Sequence, residues 1–206
     1  MRVQLLILLL FTCFFARSQD NFYPDGQKKA TGELIEGKKT GEWVFYYPNG
    51  TKQAIEHYLN DELNGVVENF DFDGNRLSTE YWRQGLIQDS AFYYYPSGQL
   101  EKSGIYKDGQ YEGYWTFYHP SGALKKTLVY NNGSPDGEWK YYNEQCILIH
   151  DGNYDDGQET GEWKFYNEKG HLEYIGSYAE GKRIGLWYKV SKSGKKKLII
   201  LPPEEN

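Results

Sequence analysis

Three sets of residues in this chain of 206 have the chemistry to catalyse, ligate or bind. His57, His119, His150 and His171 could serve as bases or metal ligands. Glu42, Glu138 and Glu162 each follow a glycine, and a column of such carboxylates could hold a cation. Trp115, Trp139, Trp163 and Trp187, with Tyr118, Tyr142 and Tyr166 beside the first three, could stack on sugar rings or anchor a protein partner. A catalytic site needs such groups to converge on one point, so the elements that position them decide the matter.

Those elements follow a clock. Taking Gly41 as a marker and stepping by 24 gives Gly41, Gly65, Asp89, Gly113, Gly137, Gly161 and Gly185, and all 23 glycines fall on four phases of this one period. Two residues after the marker stand Trp43, Trp115, Trp139, Trp163 and Trp187; five after it stand Tyr46, Phe70, Tyr94, Tyr118, Tyr142 and Tyr166. On this clock the four histidines sit 16, 6, 13 and 10 residues after their markers, so no two share a place and the repeat cannot stack them into a metal site or triad. The glutamate column reads as a solvated edge. The glycine-rich turns lack both the following helix and the lysine of a phosphate loop. The expectation is a non-enzymatic chain with no catalytic, metal-binding or cofactor-binding residues.

Each unit holds two β-prone runs, such as TFYH at 116–119 and LKKTLVY at 124–130, separated by a Pro-Ser-Gly turn. Asp108-Gly109, Asn132-Gly133 and Asp156-Gly157 are turn signals between units. The spacing predicts an all-β fold: about seven tandem β-hairpin units over residues 19–200, stacked into an elongated, twisted antiparallel sheet. Fourteen strands at about 4.8 Å each make a rod of about 65 Å. Alternation along the second strand predicts that Leu124 and Tyr130 share a face, and that Gly176, between Leu172 and Tyr178, leaves a slot for a ring from the adjacent hairpin.

The spacing of Tyr106, Gly109, Gly113, Trp115, Tyr118 and Gly122 resembles the MORN repeat in its bacterial variant, in which a Trp replaces the second glycine of the G-x-G pair. The resemblance covers nearly all of 22–200. It implies antiparallel hairpins in a largely single-layer sheet, and, through the similarity of the array to YwqK-type antitoxin components of toxin–antitoxin pairs, a protein-binding role. The run G-x-W-x-x-Y-x-x-x-G is also similar to the cell-wall-binding repeats of surface proteins, which implies a glycan-binding alternative.

The beginning of the chain places the array. Arg2, the apolar run Val3–Ala16 and the small-x-small site Ala16-Arg17-Ser18 form a secretory signal peptide over 1–18, cut between Ser18 and Gln19. The apolar run is shorter than the ~20 residues of a spanning helix. Export to the periplasm, envelope or exterior is therefore expected, with residues 201–206 as a tail. Removing 1–18 takes Arg2 and Arg17 and no acid, moving the net charge from −6 to −8 and arguing against nucleic acid as a partner. Cys146 then has no partner for a disulfide within the chain. It replaces a turn glycine, which predicts a buried thiol and an altered turn.

Two adjacent units break the pattern, with Val67 and Ala91 where Trp is expected and Asp89 as a marker. They predict a kink or a patch facing a partner. The sequence thus leads to an exported repeat scaffold that binds a protein, in an antitoxin or immunity version, with a cell-wall or glycan module as the alternative.

Overall fold

The computed structural model describes residues 16–199. Its strands form one antiparallel meander. The chain opens with β1 (Ala16–Phe22) and β2 (Lys28–Ile35), then β3 (Lys38–Tyr46) and β4 (Lys52–Leu59). A two-residue β5 (Glu62–Leu63) precedes β6 (Gly65–Phe70) and β7 (Arg76–Arg83). There follow β8 (Leu86–Tyr94), β9 (Leu100–Lys107), β10 (Gln110–Tyr118), β11 (Leu124–Asn131), β12 (Ser134–Tyr142) and β13 (Leu148–Asp155). The series ends with β14 (Gln158–Tyr166), β15 (Leu172–Ala179), β16 (Lys182–Val190) and β17 (Lys196–Ile199). The seven units supply fourteen strands as expected; β1 and β2 form a leading hairpin and β5 is a fragment of an interrupted strand. Each strand pairs with its neighbours in sequence, except that β5 and β6 both pair with β4 and not with each other, and the sheet is open and all-β. Residues 1–15 and 200–206, with most of the expected signal segment and the tail, lie outside the described residues. The expected cut after Ser18 falls inside β1, and Gln19–Phe22 retain their pairing to β2.

Two kinds of turn alternate along the meander. At one edge, Glu36-Gly37, Gln84-Gly85, Asp108-Gly109, Asn132-Gly133, Asp156-Gly157 and Glu180-Gly181 each have two consecutive positive φ angles, the conformation of a tight hairpin turn whose twist matches the strands. At the other edge, Tyr47–Thr51 and its equivalents close on a residue with positive φ. Cys146 holds this place with φ 58°, and its amide donates to the Asn143 carbonyl at 3.0 Å as Gly170 does to Asn167 at 2.8 Å. The altered turn and the buried thiol expected there are both corrected: the turn is retained and Cys146 is exposed.

The register is not a uniform ladder. In each hairpin from β1–β2 to β14–β15 it slips by one residue near the turn, between Phe117 and Tyr118 for example, so Phe117 opposes Lys126 but Tyr118 opposes Leu124. This bulge corrects the expectation that Leu124 and Tyr130 share a face, because strict alternation does not cross an inserted residue. A second irregularity joins each unit to the next: between β13 and β14, Asp151 opposes Lys164 and Asn153 opposes Thr160, leaving one residue facing three. The extra length on β14 is taken up at Gly161, with φ 67°.

Candidate functional site

The second bulge explains the tryptophans. Gly32, Gly104, Gly152 and Gly176 lie in second strands, and a Cβ on any of them would stand 2.1–2.3 Å from the indole of Trp43, Trp115, Trp163 or Trp187 on the next strand. Each ring lies flat on the backbone of the preceding unit, in the slot its glycine leaves open. Trp115 is fully buried, and Trp43, Trp163 and Trp187 nearly so. The indoles of Trp43 and Trp115 also donate to the carbonyls of Glu33 (3.1 Å) and Ile105 (3.0 Å). Truncating a ring buried in this way costs about 3–5 kcal/mol, so the row is the mortar between units. Of the four tryptophans expected to face a partner, Trp115, Trp163 and Trp187 are thus interior; Trp139 is half-buried, because Leu128 stands where the others have glycine.

The exceptions follow the same rule. Where a unit carries Glu80 instead of glycine, the residue opposite is Ala91; Glu56, on the same phase, precedes Val67. A side chain in the slot goes with the loss of the ring that would have filled it. Around the buried Ala91, polar aromatics fill the space: Tyr93 Oη and Tyr106 Oη lie 2.9 Å apart, Lys102 Nζ donates to Tyr111 Oη at 2.7 Å, and Trp82 Nε1 donates to Glu80 at 3.0 Å. Burial raises the pKa of both Tyr93 and Tyr106, and the Tyr106 hydroxyl and the Glu80 charge push Tyr93 further in the same direction. These phenols stay protonated as donors and offer no base or nucleophile at neutral pH.

The histidines are separate: His171 is exposed, and the other three have structural partners. His57 Nδ1 donates to the Val66 carbonyl at 2.8 Å, and His119 Nε2 to that of Tyr142 at 2.9 Å. His150 lies among Trp139, Tyr141 and Phe165, where burial lowers its pKa. His119 occupies a phase that sequence reasoning passed over. Tyr23, Tyr47 and Tyr95, on the same 24-residue step, donate from their hydroxyls to the carbonyls of Tyr46, Phe70 and Tyr118 at 2.8–3.0 Å. The signal was legible as a tyrosine directly before the turn. The opposite edge has its own tie: the amides of Gly85, Gly109, Gly133, Gly157 and Gly181 donate to Leu63, Ile87, Tyr111, Pro135 and Glu159.

Tyr118, Tyr142 and Tyr166 are three residues from their tryptophans, an odd number along the strand, so they lie on the opposite face. The expected aromatic surface is therefore split between two faces, the tyrosines half-buried on theirs. On that face Glu138 and Glu162 pair with Lys140 and, at 3.0 Å, Lys164, and Glu42 approaches His57 at 4.0 Å. No group of acids, histidines or cysteines suited to a metal occurs among the described residues. In three successive units the glutamate row gives way to Val66 opposite Tyr81, Ser90 opposite Ile105 and Tyr114 opposite Val129. Tyr81, Ile105 and Tyr114 are 45%, 48% and 70% exposed, an apolar interruption between the glutamates of the units marked by Gly41 and Gly137; the row turns apolar again only at its end, at the exposed Leu186.

The meander of bulged hairpins joined by glycine slots and ring covers is a stacked repeat array. Four segments, 39–60, 90–108, 111–132 and 159–180, match the family described as MORN repeat variant, and these repeats of the chain are of that kind. They fall on the units marked by Gly41, Asp89, Gly113 and Gly161. No curated protein matches the chain. Among solved structures, a chain from "Crystal Structure of TcdB2-TccC3-Cdc42" is similar at 12% identity over 89% of this chain and 14% of that chain, with a TM-score of 0.18. This chain thus spans about a seventh of that one, and a likeness so slight carries no argument. No described helix is long and apolar enough to cross a membrane.

Proposed function

We propose that the protein is an exported, non-enzymatic repeat scaffold that binds another protein through the face opposite its tryptophans. The observation that carries this reading is the mid-array apolar interruption Val66, Tyr81, Ile105, Tyr114 and Val129, in a row that is charged in the flanking units marked by Gly41, Gly137 and Gly161. Exposed rings and aliphatics bounded by polar neighbours are the anatomy of an interface core and rim. The buried tryptophans favour this over the glycan alternative, since a sugar ladder needs open indole faces. Export rests on Arg2, the apolar run Val3–Ala16 and the small residues before Gln19. The antitoxin or immunity version adds that the partner is a toxin encoded next to this chain.

The test uses the mature chain as bait in envelope extract, beside an Ile105→Glu/Tyr114→Glu variant with the same circular dichroism and melting. Both positions are exposed, so the fold is retained. A specific protein held by the first bait and lost by the variant is expected. Capture unchanged by the variant, or sedimentation with isolated peptidoglycan in place of protein capture, refutes the reading.

A further inference from the structure

The last unit departs from the others in three ways that converge on one end of the array. First, its hairpin has no bulge: Val190, Lys189, Tyr188 and Trp187 oppose Lys196, Lys197, Leu198 and Ile199 in unbroken register. Where every earlier hairpin bends at its turn, this one runs straight. A cavity of about 380 Å³ opens beside it, lined by Phe165, Tyr174, Tyr178, Arg183, Trp187 and Ile199. Trp187 stands edge-on to Tyr178 at 5.2 Å and tilted to Phe165 at 6.0 Å, so ring faces and edges line a site that an inner unit fills with its own neighbour.

Second, β17 pairs with β16 alone among the described strands, so one side of Lys196–Ile199 offers backbone donors and acceptors to an incoming strand. Third, residues 182–199 hold seven of the chain's 23 basic residues, Lys182, Arg183, Lys189, Lys192, Lys195, Lys196 and Lys197, and none of its 29 acids. The rest of the chain is strongly acidic by difference. Arg183 is held over the Trp187 ring at 5.4 Å and donates to Tyr178 Oη at 3.4 Å; Lys189 lies over Tyr174 at 5.7 Å. The positive charge is thereby brought to the rim of the aromatic cavity.

We infer that this end takes an extended acidic segment of another protein, which adds to β17 as a further strand and places an aromatic side chain in the cavity. Strand addition satisfies the open edge, and the pocket reads alternate side chains of the added strand. The lysines repel a second copy of the same edge while attracting glutamates and aspartates. An anionic lipid surface would satisfy the charges but neither the backbone edge nor the ring-lined site. The site is distinct from the patch at Tyr81, Ile105 and Tyr114, so either can fail without the other.

The probe is a fluorescein-labelled peptide with a central Phe between valines and Glu-Asp flanks, titrated into the mature chain by fluorescence anisotropy. Saturable binding is expected, with loss of at least about tenfold on replacing Phe by Ser in the peptide, or in a Lys196→Glu/Lys197→Glu variant. Ile105→Glu/Tyr114→Glu leaves it unchanged. Amide exchange at Lys196–Ile199 slows in the complex, a signature that charge attraction alone does not give. Binding indifferent to the Phe, absent exchange protection, or equal uptake by phosphatidylglycerol vesicles with the same loss in the lysine variant overturns the inference. So does binding that emerges only when residues 201–206 are removed, which would make the chain's own tail the occupant.

Discussion

The decisive residue pair is a glycine and the tryptophan that covers it from the next unit. At Gly152 a Cβ would meet the Trp163 ring at 2.3 Å, with the indole held by its own strand. Gly152→Ala should therefore destabilise by about 3 kcal/mol, through overpacking that neither side can relax. Trp163→Ala alone should cost at least as much by leaving a cavity. The double change Gly152→Glu/Trp163→Ala copies Glu80 opposite Ala91, which the chain already uses. Its cost in urea denaturation should fall short of the sum of the Gly152→Glu and Trp163→Ala costs by about 1–3 kcal/mol. Strict additivity would mean that the native coincidence of Glu80 and Ala91 is unrelated to packing. Much of this was legible beforehand: the glycine slot and its incoming ring follow from phase and alternation. The faces of Trp and Tyr were legible too, since three is odd. What alternation could not give was the inserted residue near each turn, because a bulge changes register without changing the spacing of the motif.

At the scale of elements, the junctions are not equal. The other junctions between units hold five or six opposed pairs, whereas β4 keeps two with β6, Ala54 opposite Asn69 and Ile55 opposite Glu68, and two with the short β5. Here Glu56 occupies the slot, Val67 replaces the ring, and the side-chain ties are that of His57 Nδ1 to the Val66 carbonyl and, at the turn edge, those of Tyr47, Asn49 and Thr51 to the carbonyls of Phe70 and Phe72. Local opening follows the weakest interface in a linear array. Hydrogen exchange should accordingly be fastest, among strand amides away from the two ends, in Ile55–Leu59 and Gly65–Glu68. Slower exchange there than in β10–β11 would contradict a seam at this junction. The sequence marks the place through its lost tryptophan. The broken strand, by contrast, arises from Glu56 and the Asn60-Asp61 turn acting together, and no single motif announces it.

For the whole molecule, stability is a sum over neighbours, with no core that all units share. Deletion by one full period should then be tolerated, provided the new junction is chemically matched. Removing residues 137–160 sets Trp163 over Leu128, the place Trp139 holds now, and the shortened chain should melt cooperatively with native-like circular dichroism. Removing 89–112, also one period, sets Trp115 over Glu80, a side chain where the ring needs bare backbone. That variant should lose several degrees more in Tm than the first, as a clash of about 1–3 kcal/mol requires in a chain of this size. Equal melting of the two would show that period alone governs assembly.

The slot and its cover lie in different units, and this bears on how such a chain can change over generations. The motif that the eye picks out, from one marker glycine to the next, is not the piece that can be copied or lost freely. The portable piece runs from a slot to the cover on the next unit, and three lineages of it coexist here: glycine under tryptophan, glutamate before a small side chain, and Leu128 under Trp139. Recombination within a lineage lengthens or shortens the rod at no cost in fit. Recombination between lineages leaves either a hole or a collision, so the order of the units is itself inherited information.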